Sequence, residues 1–146
     1  MALEMAMSVL FAECLQALGG DAKVISASDA EVVFSDIEKK FLFSVSGGLQ
    51  IGDGCLSKRG EARKLLDEFN KESGGLYIFW DDAAVPVLEI PASFISKIIS
   101  CIDDVLAVGF KTYIYQSETA AIMEVSSFGT GLLVSHDSAR GVWKCC

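Results

Sequence analysis

Residues 111–136, KTYIYQSETAAIMEVSSFGTGLLVSH, decide the fold. They read as three strands, KTYIYQ (111–116), AAIMEVS (120–126) and GLLVSH (131–136), joined by connections of hairpin length. Connections that short give antiparallel pairs, because a parallel pair needs a crossover of a dozen or so residues. Immediately upstream, Pro91 suits the first turn of a helix expected over 92–105. There Phe94, Ile95, Ile98, Ile99, Ile102 and Leu106 form the strongest amphipathic pattern in the chain. Before it, LYIFW (76–80) and VPVLEI (85–90) read as two short strands connected through Asp81 and Asp82.

Farther out, Ala62, Leu65, Leu66 and Phe69 mark one face of a helix over 61–72, preceded by a loop, GDGCLSKRG (52–60). Residues 23–51 carry short runs rich in β-branched and aromatic residues: KVISAS (23–28), EVVFSD (31–36) and KKFLFSVS (39–46). Gly47 and Gly48 suit a hairpin turn before Leu49. Residues 3–18 form a helix with Leu3, Met7, Leu10, Phe11, Cys14 and Leu18 on one stripe, and VWKCC (142–146) is a candidate edge strand. The order αβββαββαβββ predicts an α+β fold, a single domain over 1–146. Its sheet is mainly antiparallel, with about three helices packed on one side.

The chain has 146 residues, 51% of them hydrophobic, enough to bury a core without disulfides or metals. Twelve Lys and Arg stand against 20 Asp and Glu, a formal charge of -8. That balance opposes binding to nucleic acid or anionic lipid, both of which ask for positive charge. It either keeps a hydrophobic domain soluble or steers a basic partner. The five cysteines, Cys14, Cys55, Cys101, Cys145 and Cys146, show no CxxC spacing and no disulfide framework. The first twenty residues carry Glu4 and Glu13 and no Lys or Arg, unlike a signal peptide, and no apolar run is long enough to span a membrane. The expected location is cytoplasmic.

Few residues offer catalysis. His136, the single histidine, excludes sites built on two imidazoles and reads as a surface turn residue beside Asp137. No G-x-S-x-G, Walker, GxGxxG or EF-hand pattern occurs, and Cys145 and Cys146 read as a passive tail. A small enzyme would need Cys55, His136 or a carboxylate pair to converge in a pocket. The expectation is therefore a binding protein that is not an enzyme, with no cofactor and no metal.

Acidity is locally concentrated. From Asp81 to Asp104 there are five acidic residues and one basic one, Lys97, and the run begins beside Trp80. Aromatic anchors next to acidic groups suit a surface for a basic protein. Trp80, Asp81, Asp82, Asp103 and Asp104 are the candidate partner-binding residues. Alternation along LYIFW is equally consistent with Trp80 facing the core.

The segments LYIFWDDAAVPVLEIP (76–91), IDDVLAVGFKTYIYQ (102–116) and AAIMEVSSFGTGLLVS (120–135) resemble immunity proteins of bacterial contact-dependent inhibition and related polymorphic-toxin systems. The resemblance runs over residues 76–134. It implies a cytosolic protein that binds one toxin domain and blocks its active site or its approach to substrate. Such toxins are often basic nucleases, which suits an acidic inhibitor. The alternative is a type III secretion chaperone binding an effector, a class that is also small and acidic. Such chaperones are usually dimers, and the strands after Lys111 fit them poorly.

Overall fold

A computed structural model describes residues 2–45, 47–72 and 74–136. The helix expected at the start is α1 (Ala2–Leu18). It is followed by β1 (Lys23–Val24), α2 (Ala27–Lys40), β2 (Leu42–Phe43), β3 (Leu49–Gln50) and β4 (Cys55–Glu61). Next come α3 (Ala62–Leu66), β5 (Gly75–Trp80), β6 (Leu88–Pro91) and a 3-10 turn (Ala92–Phe94). The last elements are α4 (Ile95–Ser100), α5 (Ile102–Leu106), β7 (Lys111–Gln116), β8 (Ala121–Ser126) and β9 (Thr130–His136).

Among the described residues the sheet has seven strands in the order β1-β6-β5-β7-β8-β9-β4, with β2 and β3 forming a separate hairpin. All its neighbouring strands are antiparallel. The fold is α+β, as the sequence predicts. The sheet is built around β5 and the β7–β9 meander, whose limits fall within a residue of those read from the sequence.

Strand alternation divides the core in two. Leu76, Ile78, Trp80, Ile114, Met123 and Val125 point to one face, where they meet Cys14 and Leu18 of α1, Leu65 and Leu66 of α3, Ile98 of α4 and Val105 of α5. Phe79, Tyr113, Tyr115, Ile122 and Val134 point to the other, against Ala30, Val33 and Ile37 of α2 and Phe41 beyond it. Each fully buried aliphatic side chain contributes about 1.5–3 kcal/mol. The expectation of helices on one side only is thus corrected, since α2 and the β2–β3 hairpin cover the second face.

The predicted order αβββαββαβββ is corrected with it. EVVFSD is no strand but the middle of α2. Ala30, Val33, Ile37 and Phe41 recur at helical spacing, and the Ser26 hydroxyl caps the helix by accepting the Asp29 N–H at 3.1 Å. The loop GDGCLSKRG contains β4, paired with β9 from Cys55↔His136 to Glu61↔Thr130. As the terminal strand of the described sheet, β4 exposes its residues 56–59 in succession, so it lacks the alternation that marks a strand. The helix over 61–72 shortens to α3. That over 92–105 breaks at Cys101, whose N–H and thiol both donate to the Lys97 carbonyl.

Two smaller expectations also change. His136 is buried at the end of β9, its Nε2 2.8 Å from the Lys40 carbonyl oxygen and its ring against Phe41. Cys55 is disulfide-bonded, whereas Cys14 and Cys101 are free. VWKCC, Asp137, Cys145 and Cys146 lie outside the described residues. Among the described residues no helix is long and apolar enough to cross a membrane.

Candidate partner-binding site

One end of the sheet gathers the end of β5, the start of β7, the β8–β9 turn and the β4–α3 junction. Register fixes this, with Trp80 opposite Thr112, Lys111 opposite Ser126, and Thr130 opposite Glu61. A cleft of about 920 Å³ opens there, with Leu10, Ile102, Leu106 and Val108 among its apolar lining.

Trp80 closes β5 from inside. It is 5% exposed, its indole N–H donates to the Val105 carbonyl at 3.0 Å, and Phe11 meets its ring edge-on at 5.9 Å. The next residue turns outward. Asp81 extends the pairing by one step: its N–H donates to the Lys111 carbonyl, and its Oδ1 accepts the Lys111 N–H, both at 3.3 Å. Asp82 accepts the Ala84 N–H at 2.9 Å, an Asx turn that fixes the exit of the chain. Gly109 allows this approach, since a Cβ there would stand 3.0 Å from Asp81 Oδ1 and 3.3 Å from Trp80 Cβ.

The opposite wall comes from α3 and the β8–β9 turn. Gly129 adopts φ +92, donates to the Ser126 carbonyl at 2.9 Å and accepts the Ala62 N–H at 2.9 Å, so the turn is tied to the first residue of α3. The Ser127 N–H donates to the Phe110 carbonyl at 3.0 Å, which sets the two loops side by side. Their aromatic side chains stay in water, Phe110 at 82% exposure and Phe128 at 94%.

Among the described residues four carboxylates, Glu61, Asp81, Asp82 and Asp103, line the cleft with one guanidinium, Arg63. Arg63 Nη2 stands 4.0 Å from Asp103 Oδ1, and the Asp103 side chain is 94% exposed. A pair so long and so wet holds little energy and leaves both groups able to regroup.

Of the five residues nominated from sequence, the cleft brings together Asp81, Asp82 and Asp103. Asp104 is exposed on the same short helix but does not line it. Its charge instead acts on the thiols of Cys14 and Cys101, adding to the upward push of burial. Trp80 lies in the core and holds α5 in place. Sequence reasoning missed Phe110, Phe128, Glu61 and Arg63. The available signal was an aromatic residue beside glycine in each of two short connections, GF at 109–110 and FG at 128–129.

On the opposite face a polar cluster ties α2 to the sheet. Asp36 Oδ2 accepts from the Tyr115 hydroxyl, from Lys40 Nζ at 3.1 Å and from Ser117 Oγ at 3.3 Å. Burial pushes the Asp36 carboxyl up, but those donors and the Lys40 charge outweigh it and hold it below its ordinary range. Burial, then the bond to Asp36, pushes the Tyr115 phenol up. Tyr113 similarly donates to Glu124 at 2.9 Å, and Glu124 accepts the Leu49 N–H at 2.8 Å, pinning the hairpin. These groups are mutually satisfied and serve to position α2 and the hairpin. Among the described residues no group of three or more His, Cys, Asp or Glu is placed to hold a metal ion.

The geometry is that of an α+β domain, a sheet covered on both faces with an acidic cleft rimmed by exposed aromatics at one end. The chain belongs to the CdiI immunity protein family, EcoliA0-like, whose family model matches residues 7–131. It is therefore an immunity protein of a contact-dependent inhibition system, and its partner is a protein toxin. The match reaches well upstream of the 76–134 segment that carries the resemblance in the sequence, taking in most of α1 and all of α2. No curated protein matches the chain.

Proposed function

We propose that the chain binds its cognate toxin domain in the cytosol and neutralises it by occlusion, without catalysis of its own. The toxin is basic and of nuclease type, and the face that meets it carries Asp81, Asp82, Asp103 and Asp104, supported from beneath by Trp80. Neither nucleic acid nor membrane takes part.

The observation that carries this reading is convergence. Asp81 and Asp82 leave β5, Asp103 belongs to α5 and Glu61 ends β4, yet all four line one cleft. The formal charge of -8 adds long-range attraction for a basic partner. Electrostatic attraction of this kind acts mainly on the association rate and is screened by salt.

The test is co-expression with a candidate cognate toxin domain of a contact-dependent inhibition system. Protection of growth and a one-to-one complex are expected, with association slowing as salt is raised. Association that ignores salt would remove the electrostatic part of the reading. Absence of any complex would remove the whole.

A further inference from the structure

Resting on that reading, we propose that the end-of-sheet cleft receives a cationic loop of the toxin, with Phe110 and Phe128 as its apolar anchors. The loop's long side chains lay their alkyl stems on the two rings and carry their charge to Asp81, Asp82, Asp103 and Glu61.

Among the described residues the two phenylalanines have no packing role that explains them. Phe110 and Phe128 are 82% and 94% exposed, while the rest of their loops is held rigidly by the Ser127-to-Phe110, Gly129-to-Ser126 and Ala62-to-Gly129 hydrogen bonds. Rigid backbones presenting aromatic rings to water are pre-organised for binding, because little order remains to be imposed. Aromatic residues are also the ones that most often dominate interface energetics.

Charge selects the occupant. Among the described residues four carboxylates against one guanidinium give the cleft an anionic lining. Lys and Arg combine an apolar stem with a cationic head, and the face of an aromatic ring attracts that head. Arg63 already stands at the rim opposite Asp103 at 4.0 Å, so the local chemistry accommodates a guanidinium. At about 920 Å³ the space falls within the roughly 300–1,000 Å³ of clefts that enclose a whole small ligand, more than one side chain needs. A loop fits it better than a single protruding residue.

The experiment measures association and dissociation rates between this chain and the toxin domain against which it protects in co-expression. Four proteins are compared: wild type, F110A/F128A, D81N/D82N/D103N, and E31Q as a control on α2 across the sheet. F110A/F128A is expected to lose about 30-fold or more in affinity, chiefly through faster dissociation. D81N/D82N/D103N is expected to slow association and flatten its salt dependence, and E31Q to match wild type. Hydrogen exchange on the wild-type complex supplies a readout independent of variant folding, with protection expected at residues 107–110 and 127–130. If wild type binds while F110A/F128A binds equally well and those segments gain no protection, the cleft is not the docking site and the immunity reading stands. If wild type itself does not bind the toxin domain, the immunity reading fails first.

Discussion

The indole N–H of Trp80 donates to the carbonyl of Val105 at 3.0 Å, joining the last residue of β5 to the helix that carries Asp103. Two acidic segments far apart in sequence are thereby held in fixed relation through a buried bond. The Val105 carbonyl also accepts the Ala107 N–H and, at the long distance of 3.5 Å, the Val108 N–H.

Replacing Trp80 by Phe keeps an aromatic ring but removes the donor and part of the packing with Phe11. A loss of about 1–3 kcal/mol is expected. Trp80→Ala is expected to cost about 3–5 kcal/mol, since it also opens a cavity. Urea unfolding followed by circular dichroism measures both, and a Trp80→Phe midpoint equal to wild type would contradict the role given to the bond.

Gly60 and Gly131 face each other across β4 and β9, yet they tolerate a methyl group very differently. A Cβ on Gly131 would stand 2.7 Å from the Glu124 carbonyl oxygen and 3.1 Å from Val125 Cγ2, and sheet backbone has little room to yield. A Cβ on Gly60 meets nothing within 4 Å. Gly131→Ala is expected to destabilise by about 1–3 kcal/mol. Gly60→Ala is expected to stabilise by about 0.5–1 kcal/mol, by reducing the backbone freedom lost on folding. Paired unfolding curves check the sign of each.

The contrast between legible and hidden features follows from what local pattern encodes. The strands β5 and β7–β9 announce themselves because β-branched and aromatic residues run between short connections. In α2 the two adjacent valines of EVVFSD mimic a strand, and only the longer rhythm from Ala30 to Phe41 gives the helix away. In β4, Lys58, Arg59 and two flanking glycines mimic a loop, because a terminal strand is held by its backbone and needs no buried face. The acidity of the cleft is visible in composition between Asp81 and Asp104. Its completion by Glu61 and Phe128 is not, since those residues arrive through the register of β4 on β9, a long-range pairing that no local spacing records.

Cys14 is fully buried against the sheet, and its thiol is pushed up to about 12 by burial first, then by Cys101 and by Asp104. The thiolate is the reactive species, so at pH 8 only about one Cys14 in ten thousand would be competent to react. Native protein treated with a disulfide reagent at pH 8 is expected to leave Cys14 unmodified by peptide mapping, whereas unfolding in urea exposes it to full labelling. Cys101, half-buried and also raised, is expected to react slowly between those limits. Rapid native labelling of Cys14 would show that α1 opens from the sheet.

The Asp36 cluster makes stability depend on pH at both ends of the scale. The folded Asp36 carboxyl titrates below its ordinary value of 3.8, so its contribution is present above that value and is lost as pH falls through the folded one. The folded Tyr115 phenol titrates above its ordinary value of 10.0. Its contribution is therefore complete below about pH 10 and is lost as pH rises towards the folded value. Asp36→Asn should flatten the acid limb of a plot of urea midpoint against pH. It should trim the alkaline limb only in part, because burial is the larger cause of the Tyr115 shift. Tyr115→Phe should shrink both limbs, since the Tyr115 hydroxyl is the leading donor to Asp36, while an alkaline remnant persists from Tyr113 and Tyr77, which are also raised. An acid limb left intact in both variants would mean that the attachment of α2 to the sheet does not run through Asp36.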